Sequence, residues 1–179
     1  MTRYAALLRG VNVGGSNRIA MADLRALLEG LGYTGVATLL QSGNAVLTAP
    51  EGSAEAVAAD IEACLASELG LPVAVMVRTR ADLRRVVGHL PFPVRDPAKC
   101  AVAFFGEEVD RERLAALDRA ASAPEELAAG ERELYLYLPD GLGRAKLPPL
   151  LARRLGAPFT IRNWATTTRL LALAEGVGG

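Results

Sequence analysis

One order of segments occurs twice in this chain: strand, helix, strand, strand, helix, strand. In the first half it reads strand Arg3–Arg9, helix Met21–Leu31, strands Val36–Leu40 and Ala45–Thr48, helix Ser53–Leu69 and strand Val73–Arg78. Ser53 is a good helix start and Gly70 a good stop. The second half reads strand Ala101–Phe105, helix Asp110–Ala121, strands Glu126–Ala128 and Glu133–Leu138, helix Lys146–Gly156 and strand Phe159–Arg162. No residue-by-residue repeat accompanies the repeated order. The expected fold is α+β: two ferredoxin-like βαββαβ sandwiches in tandem, each with helices on one face of an antiparallel sheet. Residues 1–80 form the first half. Residues 81–99 hold a linker helix, Asp82–Val87, and the proline-rich run Pro91–Pro97. Residues 100–179 form the second half and a C-terminal helix, Thr166–Glu175.

This topology brings distant loops together. The first strand points up, its helix returns down, and the second strand points up again. The loop after the first strand and the hairpin between the second and third therefore meet at one sheet edge. In the first half, the elbow Arg9–Arg18 comes beside Gln41-Ser42-Gly43-Asn44. The same reasoning at the opposite edge of the second half groups Arg144 and Lys146 with Arg162, Asn163 and Trp164.

Composition narrows the function classes. The chain has 179 residues, of which 51% are apolar, so it can bury a full core without metal or disulfides. Twenty basic side chains balance twenty acidic ones, which leaves no overall charge to draw it to nucleic acid or anionic lipid. Only Lys99 and Lys146 are lysines, a bias that reflects composition more than function. Cys64 and Cys100 belong to no CxxC or Cys/His cluster and read as small core residues. With one histidine and no clustered carboxylates, no metal site and no cofactor is expected. Neither a secretory signal nor a run of about 20 apolar residues is present, so no membrane span is expected and the expected setting is the cytoplasm.

The elbow Leu7-Leu8-Arg9-Gly10-Val11-Asn12-Val13-Gly14-Gly15-Ser16-Asn17-Arg18 runs straight into a helix. A strand, a glycine-rich loop and a helix start make the shape of many anion sites. Gly10 and Gly15 are spaced like the glycines of a P-loop, but Ser16-Asn17 stands where Lys-Ser/Thr is needed, so a nucleoside triphosphatase is not expected. Two readings compete. In one, Asn12, Ser16, Asn17 and the Gly14–Gly15 backbone form a nest, Arg9 and Arg18 neutralise a phosphate or carboxylate, and Gln41, Ser42, Gly43 and Asn44 form a second wall. In the other, the elbow is a tight turn of positive-φ residues whose asparagines satisfy their own backbone. Ser42 has no base near it in sequence, and His89, the one histidine, lies at a helix end entering the linker. No catalytic residue is assigned.

Several of these segments resemble the domain-of-unknown-function 1697 family: the elbow from Leu7 to Asn17, Met21-Ala22-Asp23-Leu24, Leu31-Gly32-Tyr33, Gln41-Ser42-Gly43-Asn44 and Arg162-Asn163-Trp164. The resemblance implies a pair of ferredoxin-like halves and carries no activity, cofactor or catalytic residue. The chain departs from the family pattern at Ala145, where a serine is usual, at Ile161, where a threonine is usual, and at Ala165, where an asparagine is usual. The second cluster, Arg144, Lys146, Arg162, Asn163 and Trp164, is correspondingly poorer in polar groups. It reads either as a second anionic contact or as solvated surface, with Trp164 anchoring the last helix.

The expected function is binding of a small anionic ligand at the elbow and hairpin. The alternatives are a noncatalytic module that dimerises through open sheet faces, and binding of single-stranded RNA on Tyr135 and Tyr137. Zero net charge and the absence of an aromatic on Ala45–Thr48 weigh against RNA.

Overall fold

A computed structural model describes residues 1–176. The chain divides into two compact units, Met1–Arg85 together with the segment beginning at Arg169, and Val86–Thr168.

The first unit contains strands β1 (Thr2–Leu8), β2 (Thr34–Leu39), β3 (Asn44–Ala49) and β4 (Val75–Thr79), in the order β2-β3-β1-β4, with every pairing antiparallel. Helices α1 (Met21–Gly30) and α2 (Ala54–Leu69) cover one face. Alternation decides which residues meet them. Tyr4, Ala6 and Leu8 of β1 join Leu24 and Leu28 of α1 and Val57, Ile61 and Leu65 of α2 in one apolar cluster. The three α2 residues recur every fourth position, so one stripe of the helix seals the sheet. Ser53 Oγ accepts from the Ala56 N–H at 3.0 Å, and Gly70, at φ 63°, ends the helix in the left-handed conformation. These are the start and stop that their residue types announce.

The second unit repeats the plan with β5 (Cys100–Phe105), β6 (Glu126–Ala129), β7 (Glu133–Tyr137) and β8 (Phe159–Asn163), in the order β6-β7-β5-β8. Helices α4 (Arg111–Ala115) and α5 (Leu147–Leu155) carry its core with Leu134, Leu136 and Leu138. The connections between units run through α3 (Arg80–Gly88) and α6 (Trp164–Glu175). The architecture is α+β, with two four-stranded antiparallel sheets of ferredoxin-like strand order.

One expectation needs correction. The helix expected over Asp110–Ala121 breaks in two. The Asp110 side chain caps α4, the helix ends after Ala115, and a separate 3₁₀ turn covers Arg119–Ser122. Asp118 opens that turn by accepting from the Ala120 N–H at 3.0 Å, a local bond that competes with continuation of the helix. Ala5, Leu7 and Val46 of the first sheet and Val102 and Phe104 of the second are fully buried.

Candidate anion site at the end of the first strand

The elbow between β1 and α1 is a miniature hairpin. Val13 and Ser16 form a bridge, and the Ser16 N–H donates to Val13 O at 3.1 Å. Gly14 and Gly15 sit between them at φ 59° and 80°, the two successive positive values that a type I′ turn requires. Asn12 (φ 55°) and Asn17 (φ 47°) flank the turn in the left-handed region that asparagine tolerates best among residues with a side chain.

Their amides are spent on the loop itself. Asn12 Nδ2 donates to Ile19 O at 2.9 Å and to Gln41 O at 2.7 Å, while Asn12 Oδ1 accepts from the Ile19 N–H at 2.9 Å. Asn17 Nδ2 donates to Gly10 O at 3.2 Å. These bonds give both side chains a part in holding the loop. Asn12 ties the elbow to the β2–β3 turn and holds the approach to α1.

The elbow and that turn are neighbours, as the strand order requires. The Leu8 N–H donates to Gly43 O at 2.8 Å. Gly43 has φ 80°, and a Cβ there would lie 2.3 Å from Val11 Cγ2 and 2.9 Å from Leu8 Cβ, so the close approach needs glycine. Asn44 is fully buried and donates to Leu39 O at 2.8 Å and to Ser42 Oγ at 3.0 Å. Ser42 and Asn44 thus hold the turn in shape. Leu40, at φ 58°, is the leucine that the turn forces into a left-handed conformation.

Beside these contacts lies an open recess of about 440 Å³, lined by Asn12, Gly15, Arg18, Ile19, Ala20 and Gln41. Four of the expected residues come together there: Asn12, Gly15, Arg18 and Gln41. Gly14 and Ser16 form the hairpin tip, and Arg9, Asn17, Ser42, Gly43 and Asn44 do not line the recess. Among the described residues, the guanidinium groups of Arg9 and Arg18 make no hydrogen bond or ion pair.

The sequence reading missed Ile19 and Ala20. Ala20 occupies the N-cap position of α1 and offers no side chain to the first-turn amides. An alanine where Ser, Thr, Asp or Asn is preferred was the available signal. The first-turn acid, Asp23, lines a different groove, with Cys64 and Glu68 of α2.

Residues 1–135, which include the elbow and the turn, match a protein family described as Protein of unknown function (DUF1697). The chain belongs to the DUF1697 family. The structure of conserved bacterial protein SP0830 from Streptococcus pneumoniae is similar to it over 97% of this chain and 98% of that one, with 26% sequence identity and a TM-score of 0.77. No curated protein matches the chain.

The second polar cluster of this DUF1697 chain takes a different form from the one expected. Arg162 is 7% exposed. It donates to Thr160 Oγ1 at 2.7 Å and to Ile161 O at 2.9 Å, and burial pushes its pKa down to about 10. Asn163 Oδ1 caps α6 by accepting from the Thr166 N–H at 2.8 Å, and Trp164 is buried as the first residue of that helix. The same device stands in the first sheet. Buried Arg78 precedes Thr79, whose Oγ1 accepts from the Asp82 N–H at 3.1 Å, while Asp82 Oδ2 accepts from the Thr79 N–H at 3.0 Å. The loop bearing Arg144 and Lys146 follows β7, and Arg162 sits on β8, with β5 between those strands. That loop bonds instead to Glu125, whose carboxylate accepts from the Lys146 and Leu147 N–H groups at 2.7 Å each and caps α5.

Tyr135 is 4% exposed, which removes it as a platform for stacked bases. Among the described residues, no group of three His, Cys, Asp or Glu side chains is placed to hold a metal ion, and no helix is long and apolar enough to cross a membrane.

Proposed function

We propose that the first unit binds a small ligand bearing a phosphate or carboxylate in the recess between the elbow, the β2–β3 turn and the start of α1. The observation that carries this reading is the placing of Arg18 beside an uncapped helix start. The first-turn N–H groups of α1 have no side-chain acceptor at Ala20, and such a helix start carries about half a positive charge. Arg18 adds a full charge and a planar donor fork that matches two oxygens of an anion. The Gln41 side chain supplies a neutral donor on the opposite wall. Asn12 fixes the spacing between the walls without touching the ligand. The reading is one of binding, and no reaction is assigned to it.

Cys64 and Cys100 are free thiols, which supports a reducing setting, and we place the protein in the cytoplasm on that ground. Thermal unfolding against a panel of phosphate- and carboxylate-bearing metabolites tests the site. At least one member should raise the midpoint of the wild-type chain, and Arg18→Ala should abolish that shift while leaving the unliganded midpoint within about 1 °C, since the side chain is exposed and unbonded. A panel without effect, or a shift that survives Arg18→Ala, would overturn the reading.

A further inference from the structure

The second unit holds a recess of about 550 Å³, lined by its own residues, to which no role has been attached. Its volume falls within the roughly 300–1,000 Å³ of small-molecule sites. One wall is the end of the sheet. Glu126 pairs with Tyr137 across β6 and β7, and Tyr137 pairs with Cys100 of β5, so the three stand in register on one face. The facing wall is the proline-rich run. Phe92 sets its ring 6.1 Å from that of Tyr137, tilted by 42°.

The wall is built before a ligand arrives. Pro91, Pro93 and Pro97 fix their own φ and restrict the residues before them. The Arg95 N–H donates to Pro93 O at 3.1 Å. Asp96 Oδ1 accepts from the Ala98 N–H at 2.9 Å and starts the 3₁₀ turn Pro97–Lys99, and Lys99 O accepts from the Leu138 N–H at 2.7 Å. The side chains of Arg95, Lys99 and Glu126 line the recess and are exposed; among the described residues they make no hydrogen bond or ion pair.

We propose that this recess binds a nucleoside monophosphate. Two inclined aromatic rings suit a planar heterocycle. Arg95 and Lys99 suit the phosphate. Glu126 accepts from a ring amine or ring N–H. An apolar ring would leave that carboxylate partly desolvated with no donor, and a bare anion would leave the rings unused. The site is separate from the Arg18 recess, and neither proposal depends on the other.

Isothermal titration of the full chain with the nucleoside monophosphates, adenosine and inorganic phosphate decides it. At least one monophosphate should bind at sub-millimolar concentration, with adenosine and inorganic phosphate each weaker by about tenfold or more. Lys99→Glu and Phe92→Ala should each weaken that nucleotide by about tenfold or more. Phe92→Leu, which keeps apolar bulk and removes the ring, should do the same if Phe92→Ala fails to fold. Absence of nucleotide binding into the low millimolar range, affinity retained in Lys99→Glu and the Phe92 variant, or inorganic phosphate binding as tightly as the nucleotide and losing that binding in Lys99→Glu, would each overturn the proposal.

Discussion

Residues of one chemical type do opposite jobs here, and their hydrogen bonds tell them apart. Arg18 is exposed and unbonded, whereas Arg162 and Arg78 are buried in their sheets. Asn12 lines the same recess as Arg18, yet both its donors and its acceptor are used. Substitution should therefore separate the two. Asn12→Ala orphans the Ile19 N–H, unties the β2–β3 turn and leaves alanine at φ 55°, for a combined cost of about 3 kcal/mol. Urea unfolding should show that loss, while Arg18→Ala should leave the urea midpoint within error of wild type. A stable Asn12→Ala protein would mean that the elbow does not rely on this amide. Polarity alone could not have separated these residues in the sequence. An arginine suggests exposure by default, and an asparagine in a glycine-rich loop fits a ligand contact as well as a loop tie. The difference lies in side-chain rotation, which spacing does not encode.

At the scale of elements, helix ends are the places where this chain commits itself. Ser53, Asp110, Asp118, Thr79 and Asn163 all accept from backbone amides at the starts of helical turns. The first of these was legible because Ser53 precedes an unbroken apolar stripe. The Asp118 cap was not, because the sequence from Asp110 to Ala121 is rich in Arg, Glu, Leu and Ala, which favour a continuous helix, and the bond from the Ala120 N–H to Asp118 is a local alternative that spacing does not reveal. The cap of α5 comes from Glu125, a residue 22 positions before Leu147, so no local pattern could announce it. Glu125→Ala should cost about 1–2 kcal/mol in chemical denaturation. Its deficit should appear as faster amide exchange at the start of α5. Asp82 offers a test by pH. Burial alone would raise its pKa, but hydrogen bonds from Thr79 and the charges of Arg85 and Arg78 outweigh burial and hold it below the usual carboxylate value. A group with a depressed folded pKa gives its full stabilisation above the unfolded value near 3.9 and loses it as pH falls through the folded value. The stability gap between wild type and Asp82→Asn should therefore be constant near neutrality and shrink below about pH 4. A gap that stays constant down to pH 2 or widens on acidification would remove Asp82 as a source of that stabilisation.

In the whole molecule, the repeated order of elements was the most legible property, because each half alternates apolar periods of two and of about 3.6 residues. The adjacency of the elbow and the β2–β3 turn followed from strand order, and the Leu8–Gly43 and Asn12–Gln41 bonds realise it. The recess beside α1 did not follow from strand order, because its decisive feature is the lack of a cap at Ala20. Amide chemical shifts, read over the whole chain during titration with inorganic phosphate, test that feature most directly. Saturable shifts concentrated at Met21, Ala22, Asp23, Gly15 and the Gln41 side-chain amide, and lost in Arg18→Ala, are the predicted result. Shifts spread without saturation over exposed arginines, or a silent α1 start in the wild-type chain, would contradict the account.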